Sequence, residues 1–367
     1  MRSRKIVFAG GGPAGHIQPA LAVARLWQQT YPSDQSVFLG TSSGLETKLV
    51  PEAGFDLQLI TRVRVPRSLS LDLVKVPGLL RRSVSESKVI LKDVDLLIGF
   101  GGYVCAPAYL AANSLKVPIV IHEANAEPGW ANRLGARCTD ALAVGSPVTH
   151  GAFAQALITG LPLRDDIASL LSAHHSADET TWSEIRVKAK RDLGIPSENK
   201  VVLVFGGSQG SQAINSVIAE ARKLLKEREI TIVHSVGAGN DLPDKDDKYI
   251  SYSYIENMAN AYLASDLVIA RSGAITCSEV AALGKYALFI PRPIGNGEQS
   301  VNADHLVEMG RARVLEQRSF TAAWLLDNID SMLVLSDQFS DRPNFDDVEA
   351  AAKILSLAEH KLSAGER

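Results

Sequence analysis

With 367 residues the chain exceeds what one hydrophobic core usually spans, so two domains are expected. A hydrophobic fraction of 46%, a charged fraction of 22% and a net charge of −3 exclude a disordered chain and give no basis for nucleic acid as a partner. Three well-separated cysteines (Cys105, Cys138, Cys277) exclude a disulfide framework, and glycines and Pro107 interrupt the uncharged stretch from Leu96 to Asn113, so no membrane span is expected there.

In chain order, Lys5 to Ala9 is a short apolar strand ending in Gly10-Gly11-Gly12. Ile17, Ala20, Leu21, Ala24 and Trp27 then recur at helical spacing, giving strand, glycine loop, helix. Ser36 to Leu39 reads as a second strand. The stretch Arg62 to Arg82 carries Arg62, Arg64, Arg67, Lys75, Arg81 and Arg82 against the single acid Asp72, with leucines and valines between. That mixture suits an interfacial segment on an anionic bilayer, although the leucines can equally be core and the arginines a solvated rim. Asp95 to Ile98 and Val117 to Ile121 are two more buried strands. The polar segment Ala173 to Arg191, with His174 and His175, reads as a solvated surface insertion.

From Lys200 the opening repeats: Lys200 to Phe205, then Gly206-Gly207-Ser208-Gln209-Gly210, then a helix with Ala213, Val217, Ile218, Ala221 and Leu224. Further strands are expected at Ile230 to His234, Leu267 to Ala270 and Ala287 to Ile290. The expected class is therefore α/β, with two doubly wound Rossmann-like halves facing across a cleft. Their expected bounds are 1–164 and 165–345, with a final helix, 346–367, packing back on the first. Both glycine loops fall at the carboxyl edge of a sheet, where open α/β sheets bind ligands.

Gly10 to Gly15 matches GxGxxG, but β-strand two offers no acid for a ribose hydroxyl before Glu46, which weighs against a NAD(P) oxidoreductase. The loop delivers His16, which as a neutral imidazole can take a proton from an attacking hydroxyl, or can merely cap the helix or touch phosphate. His122 and Glu123 follow a buried strand; they face the ligand crevice or pair with each other to shape the loop. Tyr103, after Gly101-Gly102, is either wall or ligand contact. Arg271 to Glu279 opens another helix after a strand: its N-terminus suits a diphosphate, and Glu279 suits paired ribose hydroxyls. Glu298 and Gln299 offer hydrogen bonds to sugar hydroxyls. Asp244-Lys245-Asp246 is formally a metal-binding DxD, but its flanking lysines make it a solvated turn, and no metal site is expected.

Together, Gly10 to His16 with Pro19-Ala20, Gly101-Gly102-Tyr103, His122 to Asn125, Gly206 to Gly210 with Asn215, Arg271 to Glu279, and Glu298-Gln299 with Asn302-Ala303 resemble the MurG family of bacterial N-acetylglucosaminyltransferases. The resemblance runs in family order over nearly the whole chain. It implies the GT-B fold and an inverting, metal-independent transfer without a cofactor. The donor would be UDP-N-acetylglucosamine and the acceptor lipid I, giving lipid II for peptidoglycan, at the cytoplasmic face of the cell membrane. Carried over by motif, Pro13, Ala14 and Gly15 line the catalytic loop with His16, and Asn125 meets the donor sugar. Arg164 and Ser208 contact the diphosphate, with Gln209 and Asn215 beside them. Ile255 lies by uracil. Ala274, Ile275, Thr276 and Ser278 surround Glu279, which holds the ribose, and Glu298 or Gln299 reads the sugar. The family commonly has threonine where Pro13 stands, and proline has no N–H to offer a ligand. It often has glutamine at Ala124 and asparagine at Leu161.

Overall fold

The computed structural model describes residues 2–63, 76–174, 179–293, 297–339 and 343–365. The chain divides into two compact units, Met1–Arg164 with Glu349–Arg367, and Asp165–Val348.

In the first unit the strands are β1 (Lys5–Ala9), β2 (Gln35–Gly40), β3 (Asp56–Leu59), β4 (Leu96–Gly99), β5 (Ile119–Glu123), β6 (Leu142–Val144) and β7 (Leu157–Ile158). They form one parallel sheet in the order β3-β2-β1-β4-β5-β6-β7. Its helices are α1 (Ala14–Thr30), α2 (Glu46–Glu52), α3 (Val76–Ile90), α4 (Cys105–Leu115) and α5 (Trp130–Gly135). Side chains alternate across a strand, so β1 feeds two cores. Val7 packs with Leu97, Ile121 and Tyr109 on one face, and Ile6 and Phe8 pack with Ile17 and Trp27 on the other. Burial on both faces is why these strands are continuous apolar runs.

The second unit begins with α6 (Asp165–His174) and α7 (Glu179–Asp192). Then come β8 (Lys200–Phe205), α8 (Gln212–Glu227), β9 (Ile230–Ser235), β10 (Tyr249–Tyr252), α9 (Met258–Ala264), β11 (Leu267–Ala270) and α10 (Ala274–Ala282). It closes with β12 (Tyr286–Phe289), α11 (Glu298–Val301), α12 (Asp304–Glu308), β13 (Ala312–Val314) and α13 (Ala322–Asp337). Its parallel sheet runs β10-β9-β8-β11-β12-β13. The last helix, α14 (Ala350–Gly365), returns to the first unit, where Ile354, Leu355 and Ala358 enter the core of Phe8 and Trp27.

Both sheets therefore carry the 3-2-1-4-5-6 strand order, with the order reversing between β1 and β4 and again between β8 and β11. Ligands in open α/β sheets sit outside the carboxyl ends of strands at such a reversal. The register Ala9↔Gly99 and Phe205↔Ala270 sets the loops after those strands side by side.

Some elements differ from the sequence expectation. β5 starts at Ile119, not Val117, because the Val117 N–H closes α4 on Ala112 and Lys116 takes a left-handed turn (φ 59°). His122 and Glu123 are thus the last two residues of the strand and not the loop beyond it. The described part of the polar segment, 182–191, does not form a solvated insertion. Trp182, Ala189 and Lys190 of α7 are buried, and Arg186 and Lys190 both pair with Asp266, at 3.0 and 3.3 Å. The short strands β3, β6, β7, β10 and β13 went unread; they lie at or next to the edges of their sheets. Residues 64–75 of the basic stretch, and His175, lie outside the described residues.

Candidate active site

In the first unit the loop after β1 turns directly into α1, with Pro13 in extended conformation (φ −74°, ψ 158°) at the N-cap. The His16 N–H donates to Pro13 O at 3.2 Å. The imidazole Nδ1 lies 2.9 Å from the carbonyl oxygen of Phe100, in the loop after β4. A carbonyl only accepts, so Nδ1 carries a proton, and in the neutral ring Nε2 is the nitrogen with the free lone pair. His16 itself is half-buried. Gly101 (φ +94°) makes this possible, because a Cβ there would stand 3.0 Å from the imidazole ring. The neighbouring loops of the reversal thus fix the imidazole from its Nδ1 side.

Beneath it is a buried polar layer. Glu123 is 2% exposed and accepts from the backbone and side chain of Asn125 (2.9 and 3.0 Å), from Gly129 N–H (2.9 Å) and from Asn132 Nδ2 (3.0 Å). Asn132 Oδ1 in turn accepts from the Tyr109 hydroxyl at 2.8 Å. His122 does not pair with Glu123. It donates from Nε2 to Gly160 O at 3.0 Å, and burial pushes its pKa down to about 4 against the raising effects of Gly160 and Glu123. Glu123 shapes the loop, and Asn125 is half-buried above it. Tyr103 lies under the Arg62 guanidinium, 5.0 Å from ring centroid to Cζ, while Arg62 also donates to Ser43 Oγ. Arg164 ends the unit, half-buried.

In the second unit Ser211 caps α8, accepting from Ile214 N–H at 3.4 Å. Ser208 is half-buried and Gln209 exposed in the loop before it, and their carbonyls accept from Ala238 N–H and Asn240 Nδ2. Asn215 uses its amide internally: Nδ2 donates to Val236 O at 2.9 Å, and Oδ1 faces His234 Nε2 at 3.1 Å. Beside α8, Gly273 caps α10, and Ala274, Ile275 and Thr276 form its half-exposed first turn. Glu279 is buried and accepts the Tyr262 hydroxyl at 2.9 Å, while Ser278 Oγ donates to Asp347. Gln299 receives the Arg292 N–H on Oε1 (2.9 Å) and the Ser272 hydroxyl on its carbonyl (2.6 Å); Glu298 is half-buried beside it. Ile255 is buried in the turn before α9.

Sequence reasoning passed over Arg271. Its guanidinium donates to Ser211 Oγ (2.7 Å), Gln317 Oε1 (2.6 Å), Ile290 O (2.9 Å) and Pro291 O (3.1 Å). One cation therefore ties together the ends of several strands between the N-termini of α8 and α10. Two helix N-termini and a half-buried guanidinium beside them make an anion-favouring site.

Residues 6–144 match the glycosyltransferase family 28 N-terminal domain and residues 201–356 its C-terminal domain. The chain is 43% identical over 343 residues to the UDP-N-acetylglucosamine--N-acetylmuramyl-(pentapeptide) pyrophosphoryl-undecaprenol N-acetylglucosamine transferase of Mycolicibacterium vanbaalenii, covering 90% of this chain and 82% of that one. A protein of the same name from Corynebacterium diphtheriae is 42% identical over 323 residues, covering 87% and 85%. The chain belongs to the MurG group of glycosyltransferase family 28. The crystal structure of Acinetobacter baumannii MurG superposes with a TM-score of 0.69 at 27% identity, covering 98% of this chain and 100% of that one.

Within family 28 the two parallel-sheet units constitute the GT-B fold, and the chain is a glycosyltransferase. The oxidoreductase alternative also fails on a residue. The acid after β2, Glu46, is wholly buried and bonded to Gly12 and Thr41, so it cannot meet a ribose. Among the described residues no group of three or more His, Cys, Asp or Glu is placed to hold a metal. Asp246 of the DxD look-alike is paired with Arg222 at 2.7 Å.

Proposed function

We propose that this chain transfers N-acetylglucosamine from UDP-N-acetylglucosamine to the C4 hydroxyl of the muramoyl sugar of lipid I, with inversion, giving lipid II. The relatives' activity supports the substrates, and the observation that carries the chemistry is the His16 tautomer, with Nδ1 committed to Phe100 O and Nε2 basic. The acceptor O–H attacks the anomeric carbon, its proton passes to His16 Nε2, and the bond to UDP breaks. The charge growing on UDP is met in the second unit by the N-termini of α8 and α10, by Ser208 and by Arg271, with Arg164 added by resemblance. Glu279 takes the ribose hydroxyls, Ile255 the uracil, and Gln299 or Glu298 the sugar. Asn215, whose amide is used internally, acts by holding the loop after β9. On the first unit, Pro13, Ala14, Gly15, Asn125 and Tyr103 line the approach of the sugars, and His122 and Glu123 support them from below.

Attachment is peripheral, at the cytoplasmic face. No described helix is long and apolar enough to cross a membrane. Arg81 and Arg82 on α3 are exposed, as are Val89 (76%) and Leu115 (41%) on α3 and the adjoining α4, a pairing of cations and apolar side chains that suits an anionic bilayer.

His16→Ala is expected to lower turnover about 10²–10⁴-fold, the usual contribution of a positioned base, while UDP still binds. UDP release with a lipid I analogue measures the first and calorimetry the second. Wild-type turnover in this variant would refute the assignment of the base.

A further inference from the structure

The Glu46 carboxylate is fully buried and takes three hydrogen bonds. Oε2 accepts the Gly12 N–H at 2.9 Å, and Oε1 accepts the Thr41 N–H at 2.8 Å and the Thr41 hydroxyl at 2.9 Å. The Leu45 N–H donates back to Gly12 O at 3.2 Å. Room for this side chain is built in. A Cβ on Gly40 would lie 2.5 Å from Glu46 Cγ, and one on Gly44 would lie 1.8 Å from Oε2.

An N–H in a glycine turn ahead of a helix N-terminus is the kind of donor that a ligand phosphate takes. Here a carboxylate of the chain already holds it. A phosphate at the same N–H would meet a buried like charge with little water between them. We propose that Glu46 is the resident anion of the first glycine loop. It positions the Gly12–His16 segment for the general base and leaves the nucleotide phosphates to the second unit. The proposal rests on His16 as the base of the reaction. The link is short: Gly12 precedes Pro13, the Pro13 carbonyl receives the His16 N–H, and the imidazole is held from the other side by Phe100 O. Glu46 is thus a positioning residue that touches no substrate.

Two variants and one titration test this on the full chain. Glu46→Gln keeps the side chain's size but turns an NH₂ group toward either Gly12 or Thr41, both of which donate. Gly44→Ala keeps the carboxylate and displaces it. Each is expected to lower kcat by about tenfold or more, as for a displaced catalytic group, and to leave the Kd for UDP unchanged. In nuclear magnetic resonance of the wild type, the Gly12 amide proton should resonate downfield. It should stay still under UDP or inorganic phosphate at concentrations that move the Gly207 and Gly210 amides, and both variants should lose the downfield position. A wild-type Gly12 amide that titrates with phosphate alongside Gly207 overturns the proposal, as does a folded Glu46→Gln protein with the wild-type Gly12 resonance or kcat. Should Glu46→Gln fail to fold, Gly44→Ala and the wild-type titration still decide. His16→Ala run in parallel separates the two assignments: full turnover there removes the base, while the Gly12 resonance still judges Glu46.

Discussion

His234 shows what a single buried ring does to this protein. It is 1% exposed, with Nε2 against Asn215 Oδ1 at 3.1 Å and Nδ1 against the Tyr249 hydroxyl at 2.7 Å. Asn215 Oδ1 can only accept, so Nε2 carries the proton and Nδ1 accepts from tyrosine. A second proton would place a full charge in this buried setting. Burial accordingly pushes the pKa of His234 down to about 4, as it does for His122 in the other unit. Both histidines are neutral when folded but take up protons in the unfolded chain near the ordinary value of 6.5. Between pH 6.5 and about 4 the unfolded state therefore binds more protons, and stability falls as the pH drops. Each ring is expected to add a slope of roughly 1 kcal/mol per pH unit across that window. Thermal midpoints measured from pH 6.5 downward check this, and His234→Asn should flatten the slope of the second unit. A midpoint independent of pH in that range would contradict it.

Among the elements, α14 has the plainest energetic role. It follows the second unit in sequence but fills the first. Ile354 and Ala358 are fully buried against the β1 and α1 core, Tyr31 donates to Glu359, and Lys361 pairs with Asp140. Ile354→Ala removes methylenes that nothing else can fill, so it should destabilise the first unit by about 2–5 kcal/mol. Denaturant unfolding followed in that unit measures the loss, and a change within experimental scatter would mean that the helix docks loosely. The loops at the strand ends have a different character. They hold few apolar side chains and depend on specific donors and acceptors: Glu123 around Asn125 to Asn132, Arg271 among the strand ends of the second unit, Glu46 under Gly12. The glycine openings were legible because local spacing encodes them. For Glu123 the loop-shaping role was one of two readings, though with His122 as its partner; Arg271 and Glu46 were not legible, because nothing in the run of residues around either says which distant N–H or carbonyl it will meet. Arg271 sat inside a noted motif, and Glu46 was noted only as an acid too late for a ribose.

For the whole molecule, the proposed lipid-linked acceptor makes the surface as important as the site. Each cation near an anionic bilayer contributes about 1 kcal/mol, so Arg81→Ser should weaken binding to vesicles containing anionic lipid about fivefold. Zwitterionic vesicles should show no difference, and turnover of a soluble acceptor analogue should be unchanged. Equal binding of the variant and the wild type to anionic vesicles would place the membrane contact elsewhere.

Two strand–glycine–helix openings, each ahead of further buried apolar runs, were enough for the amino-acid sequence alone to determine two Rossmann-like sheets, since hydrophobic period and glycine position are local properties, while the GT-B class came from the resemblance of the motifs to a family. Which polar groups are spent and which are left for chemistry was decided only in three dimensions. The Gly12 N–H meets a carboxylate 34 residues away, and the His16 ring meets a carbonyl 84 residues away. Those pairings exist because parallel pairing of β1 with β2 and β4 brings distant loops to one edge, and hydrogen bonds at that edge are set by approach within about 3 Å, which no spacing along the chain specifies.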